Sequence, residues 1–533
     1  MNTPIYNKLL ALREEKRIPF HMPGHKRRSG GSQKKNEKFS GFEQIEEIDI
    51  TEIKDYDNLH HPEGMIRQSM DALKDIYGTK ESWYLVNGST VGILAAISAC
   101  CRHGDGILIS RNCHKSVYNA IQLLQLKAYY FCPHYTEEYD LLDAVTEETL
   151  QDMQTTLQEH RNIRAVILPS PTYEGVVMDI AAIKETVKPF DVALIVDEAH
   201  GAHFLFHEYF PASAIQCGAD IVIQSTHKTL PAMTQTALLH LCTDRIAPER
   251  ISKLLSIYET SSPSYILLAS AEYGVAFMNE NVEAVQKYVD NLQDFREKCG
   301  QLQYIHLIQK EELCCKDYDR GKLVFSLQSC DRKPMKRKDG EQDGRNCERN
   351  QNMVESFDEK WDGGKLFDRL LQEYHIELEM ADRSHCIAMT SVCDSREMYE
   401  ALFRALRELD GEIGKYLEKR STHEEVHQKT EKIRVQGSRS EEKIAVKPYS
   451  EKILESWECI DREKEVVPFS AAAGRIAGDF VMLYPPGIPL LVPGEKIAKE
   501  TVENIRYYIY NGYNVLGLSD MPGASGDGVS VLK

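Results

Sequence analysis

The sequence predicts an α/β fold built on a mostly parallel sheet, and three observations predict it. Between about residues 82 and 241, short runs that are apolar throughout alternate with amphipathic segments. A strand without a polar face is one buried on both sides, the condition inside a sheet covered by helices. The runs end in clusters of Ser, Thr, Asn, Asp and Gly, the residues that pass a strand on to a helix. At 533 residues, the chain is also long enough for several domains and a large buried core.

Taken in order, strands are read at "SWYLV" (82–86), "GILIS" (106–110), "KAYYF" (127–131), "RAVILPS" (164–170), "VALIVDEAH" (192–200) and "DIVIQS" (220–225). Between them, "HKSVYNAIQLLQL" and "LLDAVTEETLQDMQTTLQEH" carry helical periodicity, so the unit is a repeated strand and helix. Residues 248–299 read as a long helical region. "GKLVFSL", "KLFDRLLQEYHIELEM", "CIAMTSV" and "REMYEALFRALREL" then read as a smaller α+β unit. Residues 329–364 are charged and almost without apolar content, a surface insertion in that unit. The division expected is an N-terminal arm over 1–50, a major domain over 51–298, a small domain over 299–415, a polar linker over 416–448 and a C-terminal α+β domain over 449–533.

Composition removes several classes. Lys and Arg number 64 against 82 Asp and Glu, a net charge of -18, and no basic block is long enough to track a phosphate backbone; nucleic acid is not an expected partner. No stretch reaches the roughly 18 apolar residues of a membrane span, and "MNTPIYNKLLALREEKRIPF" puts charges where a signal peptide needs an apolar run. A cytoplasmic location is expected. The 14 cysteines include no CxxC pair and read as reduced packing thiols. His21 and His25 of "HMPGHK" have no second pair at ligand spacing, so no metal is expected, and a rigid arm over the active site is preferred.

Four features fall at predicted strand ends, where ligands bind in such sheets. "YLVNGST" turns through Gly88, Ser89 and Thr90 into a helix, offering N–H groups and hydroxyls to a phosphate. His114 follows the next strand at a helix start, a place where a cap is the common role. Asp197 closes the apolar run of "LIVDEAH", and a buried carboxylate there needs a cation. Lys228, in "QSTHKT", lies 31 residues later, one strand and helix further on. Phosphate turn, ring, carboxylate and lysine together describe a pocket for pyridoxal 5′-phosphate (PLP). Lys228 would form the Schiff base, Asp197 would keep the pyridine nitrogen protonated, and His114 would stack on the ring. Ser89, Thr90, Ser225 and His227 would share the phosphate, with Gly88 and His200 in the same pocket.

The motifs "PFHMPGHK", "DNLHHPEG", "LVNGST", "RNCHKS", "PTYEGVVMD", "DEAHGAHF", "STHKTLPAMTQ", "SSPSYILLAS" and "YPPGIPLLVPGE", in this order, resemble the ornithine/lysine/arginine decarboxylase family of fold type I PLP enzymes. The similarity covers most of the chain outside the insertion and linker. It implies an aminotransferase-like major domain, a small domain and a C-terminal domain. It also implies decarboxylation of arginine, lysine or ornithine in polyamine-related metabolism, with Lys228 or His227 reprotonating Cα. It further implies a homodimer with shared active sites, Ser262 reaching the phosphate pocket of the other subunit, and Glu495 as a partner for the distal cation of the substrate. The N-terminal wing domain of larger members is not seen here. The rival is another fold type I enzyme such as an aminotransferase, which typically clamps the substrate carboxylate with an arginine at the start of a small-domain strand. Here "RSHCIAMTS" has Ser384 and His385 at that place, with Arg383 alongside.

Overall fold

Seven strands form the central sheet of the computed structural model: β1 Glu81–Leu85, β2 Gly106–Ser110, β3 Lys127–Phe131, β4 Ile163–Pro169, β5 Ala193–Asp197, β6 Ile221–Gln224 and β7 Ala237–Leu241. Their spatial order is β1-β7-β6-β5-β4-β2-β3. Every pairing is parallel except those of β7, which runs antiparallel to both β6 and β1. The structure describes residues 18–20, 50, 52, 56–136, 138–139, 141–327, 361–382, 384–428, 450–484, 487–510, 514–520 and 527–533.

The double-sided burial read from the sequence is visible in the packing. Ile195 of β5 joins a core on one face of the sheet with Ile109, Ile167 and Ile223. Its neighbours Leu194 and Val196 join a second core with Leu108, Val166 and Val222. That alternation is the two-residue period of a strand with helices on both faces. Met153 and Leu157 of helix Glu147–Glu159, and Ile183 and Val187 of helix Ile180–Val187, close the second face.

Two segments differ from the expectation. Leu141–Ala144 is a short strand paired antiparallel with His134–Thr136, and the helix begins only at Glu147, where the Thr146 side chain accepts the Thr149 N–H. An N-cap threonine stops the helical pattern from running back into "LLDA". Residues 248–299 form three helices, Pro248–Tyr258, Tyr265–Glu280 and Val282–Cys299, because the turn around Pro263 ends the first and Ser264 caps the second through the Leu267 N–H.

The small unit holds β8 Ile305–Leu307, β9 Lys322–Leu327, β10 Met380–Ala381 and β11 His385–Met389, antiparallel in the order β8-β9-β11-β10. Val324, Ile387 and Met389 pack into the second core, which joins this unit to the major sheet. Helix Arg396–Gln428 runs on into the stretch read as a linker. After residue 450, Val467, Val481, Leu491, Ile505 and Val531 make a separate core. The Trp457 Nε1–H donates to the Leu126 carbonyl at 3.1 Å, one of the contacts that dock this core on the major domain. The "HMPGHK" arm and most of the 329–364 insertion lie outside the described residues. Among the described residues, no helix is long and apolar enough to cross a membrane.

Candidate active site

Parallel register sets the ends of β4, β5 and β6 side by side: Asp197 pairs with Pro169 on one side and Ile223 on the other. Lys228 follows β6 on the one-turn helix Thr226–Thr229, so the carboxylate and the lysine leave neighbouring strands at the same edge of the sheet. Asp197 is 7 % exposed and receives the Ala199 N–H at 3.2 Å. Burial raises its carboxyl above the usual range, while Lys228 and that N–H pull the other way. Burial also pushes the Lys228 amine below the usual lysine range, against the attraction of Asp197 and Glu379.

The turn read from the sequence as a phosphate site lies at the end of β1. Gly88 sits in the left-handed region at φ +74°, where a side chain is strained, and its N–H bonds the Gln235 carbonyl at 2.8 Å. Asn87 does not cap the helix Gly88–Cys100; its Oδ1 takes the Thr260 N–H at 3.1 Å instead. The first-turn N–H groups beside Ser89 and Thr90 therefore have no side-chain cap. Ser225 is fully buried, and its Oγ has no hydrogen-bond partner among the described residues. His227 Nδ1 lies 2.8 Å from the Thr236 carbonyl; a carbonyl only accepts, so Nδ1 carries the proton.

His114 does cap its helix: Nδ1 accepts the Ser116 N–H at 3.2 Å and lies 2.8 Å from Ser116 Oγ, which fixes the ring. Burial, then Lys228 and Lys115, push it down to about 4, so the ring is neutral at pH 7. A Cβ added to Gly487 would lie 3.9 Å from His114 Cδ2, which brings the C-terminal domain to this ring. His200 links three groups of the site. Its Nε2 is 2.9 Å from Lys228 Nζ, its Nδ1 is 2.8 Å from Lys322 Nζ, and Tyr173 meets it edge-on at 5.0 Å. Burial and the two lysines hold its ring well below the ordinary histidine value. Glu198, next to Asp197, is occupied elsewhere, accepting from Ser213 Oγ, the Ala214 N–H and Gln224 Nε2.

Sequence reasoning missed Lys322, Tyr173 and Glu379. Tyr173 donates its hydroxyl to Glu379, and Glu379 acts on both site lysines. A lysine opening the otherwise apolar "KLVFSL" is the signal that could have found Lys322, by the argument that found Asp197. The structure also corrects Glu495. Rather than waiting for a substrate cation, it is 1 % exposed, pairs with Arg111 at 3.3 Å and accepts the Val492 N–H at 3.0 Å. A carboxylate so enclosed already has its cation. Ser262 is exposed and two residues from Thr260, beside the phosphate turn of its own chain. His385 opens β11, 2 % exposed, with its Nδ1 2.9 Å from Ser384 Oγ and 3.3 Å from Asp382; Arg383 lies outside the described residues.

Residues 3–334 match the model of the Orn/Lys/Arg decarboxylase major domain, and residues 438–513 match that of the Orn/Lys/Arg decarboxylase C-terminal domain. The chain is 32 % identical to the uncharacterised protein YaaO of Bacillus subtilis (strain 168), covering 97 % of this chain and 96 % of that protein. It is 30 % identical to the arginine decarboxylase of the same organism, with the same two coverages. Among solved structures, the Escherichia coli constitutive lysine decarboxylase superposes with a TM-score of 0.67 at 17 % identity, over 88 % of this chain and 74 % of that one, a likeness of fold. With both domain models matched in chain order and relatives aligned nearly end to end, the chain belongs to the ornithine/lysine/arginine decarboxylase family.

Proposed function

We propose that this chain removes the α-carboxyl group of a basic amino acid as carbon dioxide, with arginine the first choice and lysine and ornithine next, using PLP held at Lys228. The observation that carries the reading is the placement of Lys228 and a buried Asp197 at neighbouring strand ends, beside an uncapped helix start. Arginine comes first because Bacillus relatives aligned nearly end to end carry that name.

The residues present fit the cofactor. Ser225 Oγ is a buried hydroxyl in need of a partner, and the turn Gly88-Ser89-Thr90 supplies N–H groups for a phosphate. Asp197 is a buried carboxylate suited to a protonated ring nitrogen. When bound, PLP supplies an electron sink for the pair left on Cα as the carboxyl departs. Lys228, whose amine burial makes more nucleophilic, would hold the cofactor aldehyde. His114, fixed by Ser116 and uncharged, offers a flat face to the ring. His227 would join Ser89, Thr90 and Ser225 around the phosphate, and Lys228 or His227 would carry the proton that Cα needs. His200 shares the pocket through its contact with Lys228. We place the enzyme in the cytoplasm as a homodimer whose sites share Ser262 across the interface, with the domain division 51–298, 299–415 and 449–533.

The test is a panel of arginine, lysine and ornithine with PLP, measuring amine and carbon dioxide. Decarboxylation of one of the three is expected. No turnover on any of them, with transamination of a neutral or acidic amino acid, would overturn the reading.

A further inference from the structure

Lys322 opens β9 in the small unit, and it is 1 % exposed. An ammonium at that depth has lost its hydration shell and needs local dipoles to replace it. The fold is shaped around its stem. Gly175 has φ +102°, and a Cβ there would come within 2.8 Å of Lys322 Cγ and 2.9 Å of its Cβ. The Nζ lies 5.5 Å from the centroid of the Tyr173 ring and 2.8 Å from His200 Nδ1. On its other side, His200 meets Lys228 Nζ at 2.9 Å. Two lysines of different domains are thus joined through one imidazole.

Donor and acceptor counting limits what this trio can hold. A neutral imidazole has one N–H and one lone pair, and an ammonium has donors only. Two ammonium groups cannot both bond a neutral ring, because its N–H would face a cation with nothing to accept it. The chain of hydrogen bonds is complete when one lysine is charged and donates to the ring while the other is neutral and accepts from it. The surrounding groups decide which. Asp197 and Glu379 act on Lys228; Asp319, Glu379 and Glu174 act on Lys322; His114 and His227 face His200. Asp319 lies close to Lys322 and also meets His203 at 3.1 Å.

We propose that Lys322 is a positioning residue for the cofactor lysine: through His200 it holds the cation that Lys228 gives up, and so keeps Lys228 a free amine at neutral pH. The transfer balances within the trio. Lys228 passes a proton to His200 Nε2 as the ring releases its Nδ1 proton to Lys322, and the total charge is unchanged. The inference rests on the reading of Lys228 as the residue that takes PLP.

The test uses the full-length protein stripped of cofactor, as wild type, Lys322→Met and Lys322→Gln. Each is mixed with PLP from pH 6 to 10, the growth of the imine absorbance is timed, and borohydride trapping with peptide mass spectrometry locates the adduct. The titration of PLP itself is common to all three proteins and cancels in the comparison. With the second cation gone, the midpoint of the rate profile is expected to rise by about one pH unit or more, slowing capture at pH 7 about tenfold. A lysine that only packs would leave the midpoint where it is. The Gln variant keeps a polar head for His200 and decides the matter if the Met variant does not fold. Failure to trap PLP on Lys228 in the wild type would refute the cofactor assignment. Trapping on Lys228 with one midpoint in all folded proteins would refute the role of Lys322 alone.

Discussion

Replacing Glu495 by Gln removes the charge from a pair in which Arg111 is 3 % and Glu495 1 % exposed. Breaking a buried pair by neutralising one member costs about 3–5 kcal/mol, since the other charge stays buried. Arg111 keeps other partners here. It donates to the Pro489 carbonyl at 2.7 Å and to Tyr118 Oη at 3.2 Å, and lies over the rings of Tyr118 and Tyr130 at 5.8 and 5.7 Å. Those contacts place the expected loss at the lower end, about 3 kcal/mol. The amide can still accept the Val492 N–H, so the measurement isolates charge rather than shape. Urea unfolding followed by Trp fluorescence suits the purpose, because Trp457 sits on the docking face. Removing both members, as Arg111→Met with Glu495→Met, should recover at least half of the loss. A Gln variant within about 1 kcal/mol of wild type would refute the argument, since a surface pair loses that little.

Asp197→Asn should keep bound PLP visible through Lys228 and the phosphate contacts while turnover falls by orders of magnitude; near-normal turnover would place Asp197 outside the site. Lys228→Ala and Ser262→Trp, each inactive alone, should recover at most about a quarter of wild-type activity when co-expressed at random pairing, and verified mixed dimers without activity would end the shared-site claim. His240 is fully buried, and burial pushes it down to about 3. The unfolded chain therefore takes up this proton first as pH falls below about 6.5, and stability drops on the acid side. From pH 6.5 to 5 the wild type should lose about 1.6 kcal/mol more than His240→Met in urea titrations; parallel losses would show that this ring titrates normally.

The parts of the fold carried by local pattern were legible. "GILIS" and "KAYYF" coincide with β2 and β3 because each is a single buried strand bounded by turn residues. Gly88, Asp197 and Lys228 could be picked out because each lies where a strand hands over to a turn, and a polar residue ending an apolar run is conspicuous. Lys322, which opens β9, and Glu379, just before β10, reach the site from more than 90 residues further on, and nothing local to "GKLVFSL" says which end of the major sheet it faces. Glu495 was misread for the same reason. Its partner sits three residues before His114 in "RNCHKS", and only the docking of the C-terminal domain brings the two together.

The Arg111–Glu495 contact spans 384 residues of chain. At about 5–20 residues per second, synthesis takes roughly 20–80 s to cover that distance. A nascent major domain must therefore keep the Arg111 guanidinium, just past β2, in water until residue 495 has left the ribosome. Only then can Gly487 settle beside His114. In translation order, the contact of Glu495 with Arg111 comes after the strands that carry Asp197 and Lys228 to the site. A ribosome stalled before residue 487 carries a major domain whose Arg111 still lacks Glu495 and whose His114 still lacks Gly487 beside it.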